Sequence, residues 1–157
     1  MKIKGKKIAG PNVETVIIPR SNGQHIVFKC AAVLDYSDFE KLCPDPKPPK
    51  VQKPGGEWLD DIESGDYKIA TNLHLMQNMN WMILRSLSAT DDLEWEKVKL
   101  SDPTTWELWT EELKEAGFSR IEIGRIRDGV WKANCLDEKM IDEARKSFFH
   151  SQGVQGN

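Results

Sequence analysis

The feature that most constrains this chain is the run Gly117-Phe118-Ser119-Arg120-Ile121-Glu122-Ile123, which holds a helix stop and a helix start in seven residues. Gly117 suits the left-handed residue that ends a helix. Ser119 and Glu122 match a capping box, and Phe118 and Ile123 occupy the two hydrophobic-staple positions around it. No single helix or strand can run through such a segment. Upstream, Asp102 is a natural N-cap and Pro103 sits at the first helical position, where its missing N–H costs nothing. Trp106, Trp109, Leu113 and Ala116 follow at helical steps, with Glu107, Glu111, Glu112 and Glu115 on the solvent side. Downstream, Ile123, Ile126, Val130 and Trp131 mark a second helix ending near Asn134. Asp137 caps a third with Met140, Ile141, Ala144 and Phe148 inward. The spacing therefore predicts a C-terminal three-helix block over about residues 102–150, with Ser151–Asn157 frayed.

Towards the N-terminus the pattern changes. Val13–Ile18 is β-branched and reads as a strand closed by Pro19. Asn22-Gly23 offers the φ > 0 pair that a tight reversal prefers, and His25–Val33 reads as the returning strand, together a β-hairpin with a longer loop. Ile3–Ile8 is placed as a lysine-rich edge strand. Ser37-Asp-Phe-Glu40 is a capping-box pattern for a short helix ending near Cys43. Five of the eight prolines then fall in residues 44–54, a composition that favours extended polyproline backbone and reads as a connector. Its Pro46-Lys-Pro-Pro49 matches PxxP, but the flanking basic residue is misplaced for an SH3 ligand. Glu57–Asp66 is acidic and leads into a central helix over about residues 67–88. There Ile69, Leu73, Met76, Met79 or Asn80, Ile83 and Leu87 share a face widened by Leu75 and Met82. Leu93–Leu100 reads as a short strand.

Composition excludes more than it selects. The chain has 157 residues, 39% hydrophobic and 30% charged, with a net charge of −3. That size buries an adequate core without staples. That charge disfavours a nucleic-acid-seeking protein. Residues 1–53 carry ten basic and five acidic residues, and residues 54–157 carry twelve and twenty. Cys30, Cys43 and Cys135 are widely spaced, with no CxxC and no zinc-ligand pattern, and read as reduced thiols. The basic start has no apolar region after it, so no signal peptide is expected, and no run is long enough to span a membrane. His25, His74 and His150 are scattered. Nucleophile-elbow, Walker and zincin motifs are absent from the sequence. Asp60-Asp61 and Asp91-Asp92 sit in polar turns. No enzymatic role, metal or cofactor is expected.

One regulatory reading is available. Leu113, Gly117, Ile123 and Ile126 fall at helix-turn-helix positions, which would put Arg120, Arg125 and Arg127 on a recognition helix. Four glutamates on the preceding helix oppose it, because phosphates repel that surface.

Several phrases resemble the tail assembly chaperones of long-tailed bacteriophages. They are Ala32-Val-Leu-Asp-Tyr-Ser-Asp-Phe-Glu-Lys-Leu-Cys43 with the prolines after it, Leu93-Glu-Trp-Glu-Lys-Val98, Asp102-Pro-Thr-Thr-Trp106, Glu112-Leu-Lys-Glu-Ala-Gly-Phe118, and Ala133–Lys139 continuing through Glu143–Phe148. They cover most of the chain, and none marks a chemical step. The resemblance implies a non-enzymatic protein of the host bacterial cytoplasm. It would bind the long helical tape measure protein, help assemble the tail tube protein around it, and possess the capacity to form a homo-oligomer. Adaptable Met- and Trp-rich surfaces suit such clients. Met79, Trp81 and Met82 are then the first candidates for partner binding, followed by Trp106 and Trp109. A structural tail or head–tail connector protein and a small DNA-binding regulator are the alternatives.

The expected fold is α+β: an N-terminal β-hairpin or small antiparallel sheet over residues 1–43, a proline-rich connector over 44–57, and a helical region over 58–150 with the long central helix and the C-terminal three-helix block.

Overall fold

The computed structural model describes residues 1–7 and 10–153, without the side chains of Lys7 and residues 148–153. The fold is α+β, as the sequence predicts. Its strands are β1 (Lys2–Ile3), β2 (Lys6–Lys7), β3 (Val13–Pro19), β4 (His25–Ala31), β5 (Lys50–Gln52) and β6 (Trp58–Asp60). Its helices are α1 (Ser37–Leu42), α2 (Gly65–Leu87), α3 (Trp109–Glu115), α4 (Arg120–Ala133) and α5 (Glu138–Gly153), with a 3-10 helix at Pro103–Leu108. The strands form three separate antiparallel pairs, β1–β2, β3–β4 and β5–β6.

The chain divides into two compact units that do not follow sequence order. One comprises residues 1–34, 85–94 and 113–157, and the other residues 35–84 and 95–112. This differs from the partition at residues 43 and 57. It arises because α4 packs on the β3–β4 hairpin instead of closing a three-helix block.

In the first unit, β3 and β4 pair over their whole length, from Val13↔Ala31 to Pro19↔His25. Their turn is the longer loop expected, and only one residue of Asn22-Gly23 takes the φ > 0 conformation read for the pair. Gly23 N–H donates to Arg20 O (3.1 Å), Arg20 N–H donates to Gln24 O (2.8 Å), and Gly23 is left-handed at φ +78° while Asn22 is not. That is a type I turn with a glycine bulge, the three-residue solution. One face of the ribbon buries Ile18, Phe28 and Cys30. A lone two-stranded ribbon is marginal in water, so this face needs a cover. α4 supplies it with Ile123, Ile126, Val130 and Ala133, all buried. The approach is close at Gly129, where an added Cβ would stand 2.3 Å from Val16 Cγ2 and 3.3 Å from Cys30 Sγ. Burial, reinforced by Glu14, pushes the Cys30 thiol up to about 11.

The junction of α3 and α4 forms as read. Phe118 N–H donates to Leu113 O (3.0 Å) and Gly117 N–H to Lys114 O (2.9 Å), the Schellman pair, with Gly117 at φ +89°. Ser119 and Glu122 make the reciprocal capping box. Arg20 joins it, donating to Glu122 Oε1 at 2.6 Å with its guanidinium 4.5 Å from the Phe118 ring centre. Phe118 also meets Phe28 edge-on at 5.5 Å. α4 ends in a second Schellman pair, in which Leu136 N–H donates to Trp131 O (2.9 Å) and Cys135 N–H to Lys132 O (3.1 Å). Here a cysteine takes the left-handed position, at φ +56°.

Other expectations are revised. Residues 3–8 are not one edge strand: β1 and β2 fold back through Lys4 and Gly5, both at positive φ, and Ile8 lies outside the described residues. Ser37 does not cap α1, because Tyr36 holds that position and Ser37 N–H is taken by Asp35 Oδ1 at 2.9 Å. The proline-rich connector contains the β5–β6 hairpin, turned by Pro54-Gly55-Gly56. The first turns after Asp102 are 3-10 and α3 begins only at Trp109. Ala116 and Ala144 are exposed, while Met140 and Ile141 are half-buried. The helical backbone continues to Gly153; Phe148's side chain, and residues 154–157 of the expected frayed tail, lie outside the described residues.

Gly129→Ala is expected to lower stability by about 1–3 kcal/mol, since Val16 and Cys30 must yield to the new methyl. Gly124→Ala on the same helix meets nothing within 4 Å, and should raise stability by up to about 1 kcal/mol. Urea denaturation of the two variants tests the helix–hairpin contact. A second prediction concerns acid. The Ser119 backbone N–H, then the Ser119 side chain and Arg20, hold the Glu122 carboxyl below its usual range. A group lowered in the folded state stabilises above its unfolded pKa and loses that contribution as pH falls through the folded value. Glu122→Gln should therefore destabilise most at neutral pH and least in acid, as read by thermal melts across that range.

Candidate functional site

The second unit is organised around aromatic side chains. Phe39 of α1 is buried and lies 5.8 Å from the Trp81 ring, 6.1 Å from Trp106 and 5.2 Å from His74. Tyr36 lies 5.2 Å from Trp81. Offset and tilted rings at such distances attract beyond the effect of area alone. The indole N–H groups of Trp106 and Trp109 are satisfied inside the protein. Trp106 Nε1 donates to Lys99 O (3.1 Å) and Leu100 O (3.2 Å), and Trp109 Nε1 donates to Asn80 Oδ1 (3.0 Å).

Residues 95–102 reach these tryptophans as irregular backbone, not as the strand expected over 93–100. The Glu112 carboxylate explains the difference. It accepts the backbone N–H groups of Glu96, Lys97 (3.1 Å) and Val98 (3.3 Å). Thr105 Oγ1 accepts the N–H of Lys99 at 2.9 Å. With successive amides tied to side chains, no strand ladder forms there. Asp102 caps the 3-10 helix as read, accepting the Thr104 hydroxyl at 2.7 Å and the Thr104 N–H at 3.0 Å, and those bonds hold its carboxyl below the usual range.

This packing reassigns the expected partner-binding residues. Trp81, Met82, Trp106 and Trp109 are buried at 2%, 5%, 0% and 4% exposure, and they are core. Of the five candidates only Met79 is exposed. The accessible apolar surface lies one to three turns earlier on α2. Ile69, Leu73 and Met76 are 68%, 55% and 56% exposed at helical spacing, and Leu75 is exposed as well. From Trp81 to Leu87, by contrast, every residue but Arg85 is buried. Beside the exposed stripe lies a shallow hollow of about 290 Å³. Leu73 and Met76 form its apolar wall, Pro103 and Trp106 its far side, and Asn80 and Glu107 supply polar groups. The sequence contained Ile69, Leu73 and Met76 as part of the helical face. What it lacked was any sign that the helix is covered at one end only.

The titratable groups are arranged for structure. His74 Nε2 stands 3.0 Å from Cys43 O and 3.4 Å from Asp45 Oδ1, and binds α2 to the segment after α1. Burial raises the Cys43 thiol. His25 is exposed, and His150's side chain lies outside the described residues. Asp60 pairs with Lys50 at 2.7 Å across β5–β6, and Asp91 pairs with Lys29. Among the described residues no three His, Cys, Asp or Glu side chains cluster as metal ligands. None of the described helices is long and apolar enough to cross a membrane. On α4, Arg120, Arg125 and Arg127 are exposed, while Ile123 and Ile126 are buried.

Trp106→Ala should cost about 3–5 kcal/mol of stability, the range for a large buried side chain. Met76→Ser, on the exposed stripe, should stay within about 0.5 kcal/mol of the parent. Chemical denaturation of both variants separates core from surface on this unit.

No family model, curated protein or solved structure matches the chain.

Proposed function

We propose that this chain is a non-enzymatic tail assembly chaperone of a long-tailed bacteriophage, acting in the host bacterial cytoplasm. In this reading it covers an apolar helical face of the tape measure protein and helps bring the tail tube protein to it. The phrases from Ala32–Cys43 to Glu143–Phe148 that resemble such chaperones support it.

The observation that carries the reading is the exposed stripe Ile69, Leu73 and Met76 on α2, with Leu75 and Met79 on its flank. Large apolar side chains at three- and four-residue steps are what one helix offers another. Leaving them in water costs free energy that a client helix would recover, at roughly 25 cal/mol per Å² of apolar surface covered. Two of the exposed residues are methionines, whose flexible thioethers adapt to varied partners. The hollow beside Leu73 and Met76 would accept one or two client side chains. The roles first assigned to Trp81, Met82, Trp106 and Trp109 then pass to this stripe, and the tryptophans hold the helix in place.

The test is an affinity pull-down of the tagged chain from infected cells, with the bound proteins identified by mass spectrometry. The expected result is a very long helical protein together with a tube protein. Leu73→Glu with Met76→Glu should reduce that recovery at least roughly ten-fold, as loss of interface hot spots does. The circular dichroism of the double variant should be unchanged. Recovery of capsid or connector proteins alone, or presence of the chain in purified particles, would replace this reading with a structural one. Steeply salt-dependent DNA binding abolished by Arg120→Glu and Arg125→Glu would replace it with a regulator.

A further inference from the structure

We propose that the outer edge of β3 is a self-association site, where two copies of this chain pair β3 with β3 antiparallel about Thr15. The inference is independent of the client-binding reading.

The direction of the main-chain groups follows from β4. Lys29 N–H donates to Thr90 Oγ1 (2.9 Å), and the Thr90 hydroxyl donates to Lys29 O (3.0 Å). Lys29's main chain therefore points away from β3, and its partner Thr15 points outward on the opposite edge. By the two-residue period Val13 and Ile17 point outward too. Thr90, with the Lys29–Asp91 ion pair, covers the β4 edge. Among the described residues, nothing hydrogen-bonds the outward N–H and C=O groups of Val13, Thr15 and Ile17. β3 also lacks the usual blocking devices, having no lysine and no proline before its last residue.

The sequence selects the occupant and the register. Pro11, two residues before β3, and Pro19, at an outward-facing position within it, stand four residues either side of Thr15, and neither has an N–H. With a two-fold axis at Thr15, the prolines of the two copies face each other beyond the ends of the ladder. Three complete pairs lie between them: Val13 with Ile17 of the second copy, Thr15 with Thr15, and Ile17 with Val13. An axis at Val13 would place Pro11 opposite Thr15, and an axis at Ile17 would place Pro19 there, each removing donors from inside the ladder. The side chains agree, because β-branched apolar pairs and a Thr–Thr pair are favourable across strands. Val13 and Ile17 are 49% and 57% exposed in the single chain. The same axis carries α4 of both copies to one face of a four-stranded sheet. An edge bracketed symmetrically and self-complementary in one register fits a second copy better than an unrelated peptide. A contact carried by three residue pairs is short beside the roughly 1,200 Å² that stable complexes bury, so a reversible, concentration-dependent dimer is expected.

Sedimentation velocity of the full chain from micromolar to submillimolar concentration tests this. The parent should shift from monomer to dimer. Thr15→Pro removes the central donor without touching the β3–β4 ladder and should weaken the dimer at least roughly ten-fold. Ile17→Lys, which keeps every backbone donor, should do the same. In a Cys135→Ser background, Thr15→Cys should cross-link to itself under mild oxidation, since opposed residues of a hydrogen-bonded pair lie about 5.5 Å apart. Ile17→Cys, facing Val13 of the second copy, should not. A parent chain that stays monomeric throughout overturns the proposal. So does a dimer that survives Thr15→Pro with its circular dichroism unchanged, or one in which Ile17→Cys cross-links as readily as Thr15→Cys.

Discussion

The contact between α4 and the β3–β4 ribbon is the constraint on which the first unit rests. A two-stranded ribbon has one face to bury and cannot bury it against itself. The cover comes from the far end of the chain, and its fit depends on Gly129 letting a helix backbone approach Val16 and Cys30. The ends of α4 are fastened to the same ribbon. Arg20, just after β3, reaches the capping box through Glu122. Asn12, just before β3, donates to Lys132 O (3.3 Å) and Ala133 O (3.1 Å) at the helix C-terminus. These bonds satisfy carbonyls that a helix end leaves open. Ile18, Phe28 and Cys30 are thereby shielded, which is also why the Cys30 thiol resists ionisation.

The second unit solves a different problem. Trp106 and Trp109 must be buried with their indole N–H groups satisfied, because a buried donor without an acceptor costs about 1–3 kcal/mol. Lys99, Leu100 and Asn80 provide the acceptors, and Glu112 shapes the irregular segment that brings the first two into place. Much of the polar chemistry in this unit therefore supports packing. The unit also leaves an apolar stripe, Ile69, Leu73 and Met76, on the surface of the first half of α2. In the proposed reading, the outward surface of Ile69, Leu73 and Met76 is the one that meets a client helix. That is the physical content of the chaperone proposal.

The legible part of the fold is the part written in short spacings. Gly117, Ser119 and Glu122 set the α3–α4 junction through bonds no more than five residues long, and each formed where the sequence placed it. Asp102-Pro103 began a helix as read, and the apolar periodicity located α2 to within two residues at its start and one at its end. Some misreadings occurred where a distant group outcompeted the local pattern. Residues 93–100 alternate like a strand, but Glu112 takes their amides. The proline-rich connector holds a hairpin because Pro54-Gly55-Gly56 turns it and Trp58–Asp60 is at hand to pair. The partner-binding residues were misplaced for the same reason. Tryptophan and methionine mark apolar surface, and only the aromatic cluster around Phe39 decides which of them it consumes.

By itself, then, the sequence determined the helices, the caps at Asp102, Ser119 and Asp137, the β3–β4 hairpin and the α+β class. Each rests on dihedral preferences and hydrogen bonds between residues a few positions apart, so the information is local. Tertiary structure alone decided that α4 covers the ribbon, that Trp81, Met82, Trp106 and Trp109 are core, and that the first turns of α2 and the outer edge of β3 face solvent. Those outcomes depend on close packing between segments tens of residues apart. A periodicity names a face to be buried, but not the partner that buries it.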